Sequence, residues 1–463
     1  MVTLLVSLST FAPVQIHASP TKPNIILIVT DDQRFDSLFA MPHVSTELMQ
    51  RGITFRRGFV SNPLCCPSRA AILTGGYSHT TGVYTNGNSP PEPGGWQAFH
   101  DNGDEDGTIA LALQKAGYRT ALLGKYFNNY PGGVPPGWNV WASFAGLKNG
   151  GAYYDYSLYE KDVGGTRIEE YGSDPSDYST TVLNNKAMTF LRSTSPATPF
   201  FLYVAPFAPH GGIVPAPSDK GSYAGYRQPL PESFNERDVS DKPSYIRVLD
   251  PIRKREVRKQ FRLQYEALQA VDRMVDHIVR YLASTGRLQD TAITFISDNG
   301  INRGEHRWEG KSVPYEESIR VPFVVRYDPM TGPRAGSASN AFVANVDLAP
   351  TFAELAGDTP FQGVGSVDGT SFVPLLDGSR YSTRSNLLLE HLHEPIKLVP
   401  SFCGLRTPGR LYVRYAGGFE ELYRLDSDPH ELRNVADQAP AEVAALRQIT
   451  ETECSPPPPG YTW

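Results

Sequence analysis

Four long, nearly continuous apolar runs constrain this 463-residue chain more than any other feature. They are Asn24-Ile25-Ile26-Leu27-Ile28-Val29-Thr30, Tyr118 through Leu123, Pro199 through Ala205, and Thr291 through Ser297. A strand with one solvated face alternates apolar and polar residues, whereas an unbroken β-rich run belongs to a strand buried on both faces. Such strands need helices above and below them. The clearest helix lies between Arg253 and Gly286. There Phe261, Tyr265, Leu268, Val271, Val275, Ile278 and Leu282 recur at spacings of three and four, and Gly286 supplies the stop. The cations at its start, from Arg253 to Arg262, are best read as a solvated face. Helical segments between buried strands imply crossover connections. The expected fold is therefore α/β: a large α/β/α domain around a mainly parallel central sheet, which a fifth run, Phe323 to Arg326, would also join.

The residues that follow these runs are unusual. The first ends at Asp31-Asp32, the second at Gly124-Lys125, the third leads through Pro206-Phe207-Ala208-Pro209 to His210, and the fourth ends at Asp298-Asn299-Gly300. Open parallel sheets bind ligands at the carboxyl ends of their strands, so these groups should gather at one edge. Adjacent carboxylates are most comfortable with a cation between them, and hard oxygen donors suit Ca²⁺ or Mg²⁺. Lysine at the end of an interior strand is rare unless it meets an anion. Asp31, Asp32, Asp298 and Asn299 would form a metal site, with Lys125, His210, Lys311 and Arg69 as an anion pocket around it. A metal and several cations around a nucleophile are what transfer of a sulfuryl or phosphoryl group requires. His79, in Tyr77-Ser78-His79-Thr80-Thr81-Gly82, reads as a loop-orienting side chain.

The nucleophile is read from Cys65-Cys66-Pro67-Ser68-Arg69, which leads into Ala70-Ala71-Ile72-Leu73-Thr74-Gly75. Proline suits a first helical turn, so Cys65 should sit just before a helix N-terminus, where backbone N–H groups favour an anion. Arg69 adds a cation that can fork onto sulfate or phosphate oxygens. This Cys-x-Pro-Ser-Arg element resembles the signature of the type I sulfatases of the alkaline phosphatase superfamily. The Asp-Asp pair, the Gly-Lys strand end, the Pro-His loop, Asp298-Asn299-Gly300 and the following lysine appear in that family's order. Near the C-terminus, the segment from Glu421 to Asn434 is similar to the family's Leu-Tyr-Asp-Leu…Asp-Pro-x-Glu-x-x-Asn. Within the family, Gly124 to Tyr130, Pro135-Pro136-Gly137-Trp138 and Tyr153-Tyr154-Asp155-Tyr156 look most like the N-acetylglucosamine-6-sulfatase and arylsulfatase branch.

The resemblance implies hydrolysis of a sugar or aryl sulfate monoester. Cys65 would be oxidised to Cα-formylglycine by a formylglycine-generating enzyme acting on the unfolded chain. One hydroxyl of the aldehyde hydrate would attack sulfur, and the other would then expel sulfate. The implied ligands of Ca²⁺, or of Mg²⁺, are Asp31, Asp32, Cys65, Asp298 and Asn299. Arg69, Lys125, His210, Lys311 and Asn128 would contact the substrate. Asp298 would take the nucleophile's proton, and His210 or Lys311 would protonate the leaving alcohol. Two departures bear on substrate choice: Phe127 stands where many members have histidine, and Gly76 where a basic residue is common. A phosphoester hydrolase of the same superfamily and a catalytically silent binder of sulfated glycans are the alternative readings.

Composition adds limits. A net charge of −6 excludes a globally basic nucleic-acid binder, and no run is long and apolar enough to span a bilayer. Residues 1–20 carry a short apolar run and a small-residue site, the marks of a secretory leader, which points to a secreted, periplasmic or otherwise exported protein. Four cysteines are too few for a disulfide scaffold; Cys403 and Cys454 are left as either a bridge or two thiols. The expected organisation is a leader at 1–20, a catalytic domain at 22–376, a small antiparallel sheet with a helix at 385–450, and an extended Pro-rich tail at 455–463.

Overall fold

The structure, a computed structural model, describes residues 22–87, 94–146, 151–357, 359–394 and 398–463; the expected leader lies outside them. The large sheet has ten strands. In chain order they are β1 (Asn24–Thr30), β2 (Ile53–Phe59), β3 (Arg119–Gly124), β4 (Val140–Phe144), β5 (Tyr156–Asp162), β6 (Gly165–Tyr171), β7 (Phe200–Ala205), β8 (Thr291–Ser297), β9 (Phe323–Arg326) and β10 (Ser337–Ala344). Their order across the sheet is β10-β2-β9-β8-β1-β7-β3-β4-β5-β6. The centre, β8-β1-β7-β3-β4, is parallel throughout, with Ile25 opposite Phe201 and Ala292. β9 runs antiparallel between β8 and β2, and β5 runs antiparallel between β4 and β6.

The four apolar runs are the buried strands β1, β3, β7 and β8, and their residues divide between two cores. Ile25, Leu27 and Val29 face one side, where they join Ile72 and Leu73 of helix α1 (Cys65–Thr74). Ile26 and Ile28 face the other, against α2 (Ser179–Ser193) and the long α3 (Lys254–Ser284). Side-chain alternation along each strand thus feeds both layers, which is why no polar position interrupts these runs.

A second sheet is antiparallel: β11 (Leu387–His391), β12 (Phe402–Thr407), β13 (Arg410–Tyr415) and β14 (Glu420–Arg424), followed by α4 (Pro440–Glu453). Its inner face shares one core with the large sheet, where Leu387, Leu389 and Val413 meet Phe59, Phe342 and Tyr315. Cys403 and Cys454 are joined by a disulfide that ties β12 to the end of α4. The Pro-rich tail is docked rather than free. The Tyr461 hydroxyl donates to the Arg414 carbonyl (3.1 Å), and the Arg414 guanidinium lies over the rings of Tyr461 and Trp463.

Candidate active site

β1, β3, β7 and β8 deliver their terminal residues to one edge of the sheet. In a continued strand Asp31 and Asp32 would point to opposite faces. Asp32 instead has φ 62°, and this left-handed turn lets the two carboxylates converge. The turn is held from β8: the Asp32 N–H donates to Asp298 Oδ1 (3.2 Å) and the Gln33 N–H to Ser297 Oγ (2.9 Å). Gly124 has φ 113°, and a Cβ there would lie 2.0 Å from the Ala205 carbonyl oxygen, so only glycine allows β3 to close on β7 at this point. The next residue, fully buried Lys125, donates from Nζ to Asp31 Oδ2 (2.6 Å).

α1 begins at Cys65 itself rather than just after it, with Leu64 as its N-cap. The Cys66 N–H donates to Asn86 Oδ1 (2.9 Å), and the Asn128 N–H donates to Cys66 Sγ (3.2 Å), which pins the cysteine pair from outside the helix. Cys65 Sγ lies 3.6 Å from Asp31 Oδ1 and 2.8 Å from Lys311 Nζ. Lys311 also donates to Asp32 Oδ1 (2.5 Å), as does Asn299 Nδ2 (2.6 Å). Arg69, one turn into α1, pairs with Asp298 Oδ2 through Nε (2.9 Å) and Nη2 (2.8 Å), and its Nη1 donates to the Lys125 carbonyl (2.8 Å). His210 Nε2 stands 3.7 Å from Asp32 Oδ2, at the partly exposed rim.

All the sequence-predicted site residues therefore lie at this edge, but they divide by task. Ligand atoms of Asp31, Asp32, Cys65 and His210 lie within 4.8 Å of one another. Asp298 is turned toward Arg69, and Asn299 braces Asp32 while its own Oδ1, fully buried, has no hydrogen-bond partner among the described residues. Two converging carboxylates, an orphaned amide oxygen and an imidazole form a mostly hard donor set. These residues fit a Ca²⁺- or Mg²⁺-sized ion.

The electrostatics follow the same division. Burial alone would raise Asp31, but Lys125, His210, Arg69 and Lys311 together hold its carboxyl far below the ordinary range. Asp298 is pushed up to about 6, by burial and then by the charge of Asp31. Burial pushes the Cys65 thiol up to about 11 against the pull of Lys125 and Lys311, so the unmodified side chain is a protonated, weak nucleophile at neutral pH.

The two departures from the family pattern have structural reasons. Phe127 is 1% exposed and its ring lies 4.5 Å from that of Phe99, so it belongs to the core and not to the pocket. Asn128 beside it is nearly buried, and its Oδ1 has no partner among the described residues. A side chain at Gly76 would begin 3.1 Å from Thr80 Cγ2 and 3.2 Å from Thr81 Cγ2, leaving little room for a basic residue. His79 orients a loop, its Nδ1 lying 2.8 Å from Glu390 Oε1 of β11. Sequence reasoning missed Asn86 and the bond from the Tyr153 hydroxyl to the His210 carbonyl (2.9 Å). Neither residue follows a buried strand, the signal that found Asp31, Asp32, Lys125, His210, Asp298 and Asn299, and neither lies in the Cys65 element.

A family model described as Sulfatase matches residues 23–358, and one described as N-sulphoglucosamine sulphohydrolase, C-terminal, matches residues 304–452. The chain is 35% identical over 380 residues to the extracellular sulfatase SULF-1 homolog of Drosophila melanogaster; the match covers 80% of this chain but only 32% of that one. It is 32% identical over 495 residues to the N-acetylglucosamine-6-sulfatase of Homo sapiens, covering 96% of this chain and 86% of the relative. Among solved structures, a protein in complex with its substrate D-glucosamine-2-N,6-O-disulfate superposes with a TM-score of 0.78 at 24% identity, covering 94% of this chain and 98% of that one.

Proposed function

Because this chain belongs to the sulfatase family, we propose that it hydrolyses sulfate monoesters, most naturally those of sulfated sugars, through a formylglycine made from Cys65. The observation that carries the reading is the setting of Cys65: a buried side chain at a helix N-terminus, between the Lys311 ammonium and the Asp31 carboxylate. An inert thiol gains nothing from such a setting. The hydrate of an aldehyde would supply two hydroxyls there, one to attack and one to eliminate.

Lys125, Arg69 and Lys311 are the cations that would donate to the ester's sulfuryl oxygens and offset the charge that develops on them. Asp31, Asp32 and Asn299, with the side chain at 65, are the residues that would hold Ca²⁺ or Mg²⁺. Such an ion supplies Lewis-acid polarisation and charge neutralisation. Asp298 would also be within its reach. Its Arg69 pair orients it, and its raised position makes it the carboxylate best suited to accept a proton beside residue 65. His210 at the rim and Lys311 are the donors available to the departing alcohol, a role that grows with the leaving group's pKa. Asn128 Oδ1, without a partner among the described residues, would accept from a sugar hydroxyl.

The division into a catalytic part at 22–376 and a smaller part at 385–450 is supported by the two sheets. Export is supported by the expected leader and by the Cys403–Cys454 bridge, since disulfides persist in oxidising compartments. No helix among the described residues is long and apolar enough to cross a membrane.

Mass spectrometry of the tryptic peptide Gly58–Arg69 from the native host tests the reading. The expected result is an aldehyde at Cys65 with Cys66 unchanged, and turnover of sulfate esters well above matched phosphate esters. A plain thiol at Cys65 in active, folded protein would overturn the mechanism. The same thiol in a protein that binds sulfated sugars without turnover would favour the silent binder.

A further inference from the structure

The large sheet ends in β10 on one side and β6 on the other, and the two edges are finished differently. β10 carries a register break between Ser339 and Phe342, and its second half is buried. Bulges and covering are ordinary ways of blunting a strand edge against another chain. β6 has neither. It pairs with β5 in unbroken register from Tyr156 opposite Tyr171 to Asp162 opposite Gly165, and every residue from Gly165 to Glu170 is exposed. It contains no proline or lysine, the side chains that most often guard an edge. Ile168, at its middle, is 61% exposed. Among the described residues no strand pairs with its outer side.

The hairpin register fixes which groups this edge offers. Only Val163-Gly164 separates Asp162 from Gly165, so that pair exchanges both backbone hydrogen bonds. Bonded and non-bonded pairs alternate along an antiparallel ladder. Gly165, Arg167 and Glu169 therefore turn their backbone groups in toward β5, and Thr166, Ile168 and Glu170 turn theirs out. A second β6 fits this edge about a two-fold axis at Ile168. Antiparallel pairing there sets Ile168 opposite Ile168 of the partner, Thr166 opposite Glu170, and Arg167 opposite Glu169, the last two pairs occurring twice. Moving the axis to a neighbouring residue would set Arg167 opposite Arg167, or Glu169 opposite Glu169. Like charges directly opposite are destabilising, so the charges select one register. Arg167 and Glu169 are each about half exposed, and their own contact is loose (Nε to Oε2, 3.4 Å). The two terminal nitrogens of Arg167 hold Glu160 (2.6 Å) and Asp162 (2.9 Å), which leaves Glu169 available to a partner.

We propose that β6 is a homodimer interface, at which two copies of this chain pair antiparallel about Ile168 and join their large sheets into one. The contact is isologous, the same patch serving both copies. The axis reverses strand direction, so the two active sites open at opposite edges of the joined sheet. The assembly does not depend on the chemistry at residue 65.

Sedimentation equilibrium of the full chain tests this, with a monomer–dimer Kd on the order of 10–100 μM expected for so small an interface. A chain that stays monomeric to several times that concentration overturns the proposal. Glu169→Arg sets arginine opposite arginine twice, and Arg167→Glu sets glutamate opposite glutamate twice. Each should raise the Kd about tenfold or more. An equimolar mixture of the two variants brings opposite charges back together at both positions, so heterodimers should form with close to the wild-type Kd. Undiminished dimerisation of either variant alone, or folded variants whose mixture stays monomeric, overturns the proposal. Amide hydrogen exchange on the wild-type protein needs no variant, so a misfolded hairpin cannot shelter it. As concentration rises through the Kd, the outward amides of Thr166, Ile168 and Glu170 should slow about threefold by mass action, while those of Arg167 and Glu169, already bonded to β5, stay constant. A dimer in which those three amides exchange at the monomer's rate is built on another surface and overturns it as well.

Discussion

Asp31 and Glu421 are both fully buried carboxylates, yet their surroundings differ completely. Glu421, on β14, accepts from three tyrosine hydroxyls: Tyr315 (3.0 Å) and Tyr423 (2.6 Å) at Oε1, and Tyr415 (2.6 Å) at Oε2. Burial raises its carboxyl, and the hydroxyls oppose that without abolishing it. Its hydrogen bonds are made within the chain, and they join β13 and β14 to Tyr315, in the segment that precedes β9 of the large sheet. Asp31 and Asp32 instead face lysine, arginine and histidine, and the Asn299 bonded to Asp32 keeps an acceptor without a partner among the described residues. Dense charge with unspent donors and acceptors marks a place built for a ligand. A carboxylate saturated by neutral hydroxyls marks a seam built for stability.

Four measurements can break or sharpen that contrast. Lys311→Ala should lower kcat for a sulfate ester by about 10²–10³-fold, the loss typical of one preorganised transition-state donor, while the melting temperature of metal-loaded protein changes little. A loss of fold comparable to the loss of rate would make the site a structural cluster like the other. Glu421→Ala should do the opposite. It strands three buried hydroxyls and should cost about 3 kcal/mol in denaturant unfolding, while the folded fraction keeps its kcat. Metal provides the third measurement. After chelation, return of Ca²⁺ at a hundred times its Kd should restore about 2.7 kcal/mol of stability, and Asp32→Asn should remove that response where Glu421→Gln should not. A Ca²⁺ response surviving Asp32→Asn would mean the ion binds elsewhere.

The smallest effect concerns His79. Burial would lower its pKa, but the hydrogen bond and charge of Glu390 outweigh burial and raise it above 6.5. A group raised on folding stabilises fully below its unfolded pKa and loses that contribution as pH rises through the folded one. Wild-type protein should therefore exceed His79→Gln by roughly 1.5 kcal/mol near pH 5.5, and the gap should shrink steadily toward pH 9. A gap independent of pH would show that the pair acts only through packing.

Much of the site was legible because strand ends are local. An apolar run followed by Asp31, Lys125 or Asp298 announces both the strand and the group at its tip, and the Cys65 element announces its helix. The finer division of labour was not legible. Asp31 and Asp32 converge only because Asp32 takes a left-handed turn braced from β8. Asp298 belongs with Arg69 and His210 with Asp32 because of distances between elements far apart in sequence. Phe127 looked like a missing pocket histidine, but packing against Phe99 assigns it to the core. The tail looked extended, but Arg414 offers Tyr461 and Trp463 a platform.

Local chemistry, written residue by residue, determined the α/β class, the buried parallel strands, the cluster of charge at their carboxyl ends and the helix that carries the Cys65 element. Tertiary structure decided what depends on closure over long separations. It set β9 antiparallel inside the large sheet and joined Cys403 to Cys454 across a separation of 51 residues. Strand and helix propensities, with the residues that cap them, act over a few neighbours. Which buried donor meets which acceptor is settled only when the whole core packs.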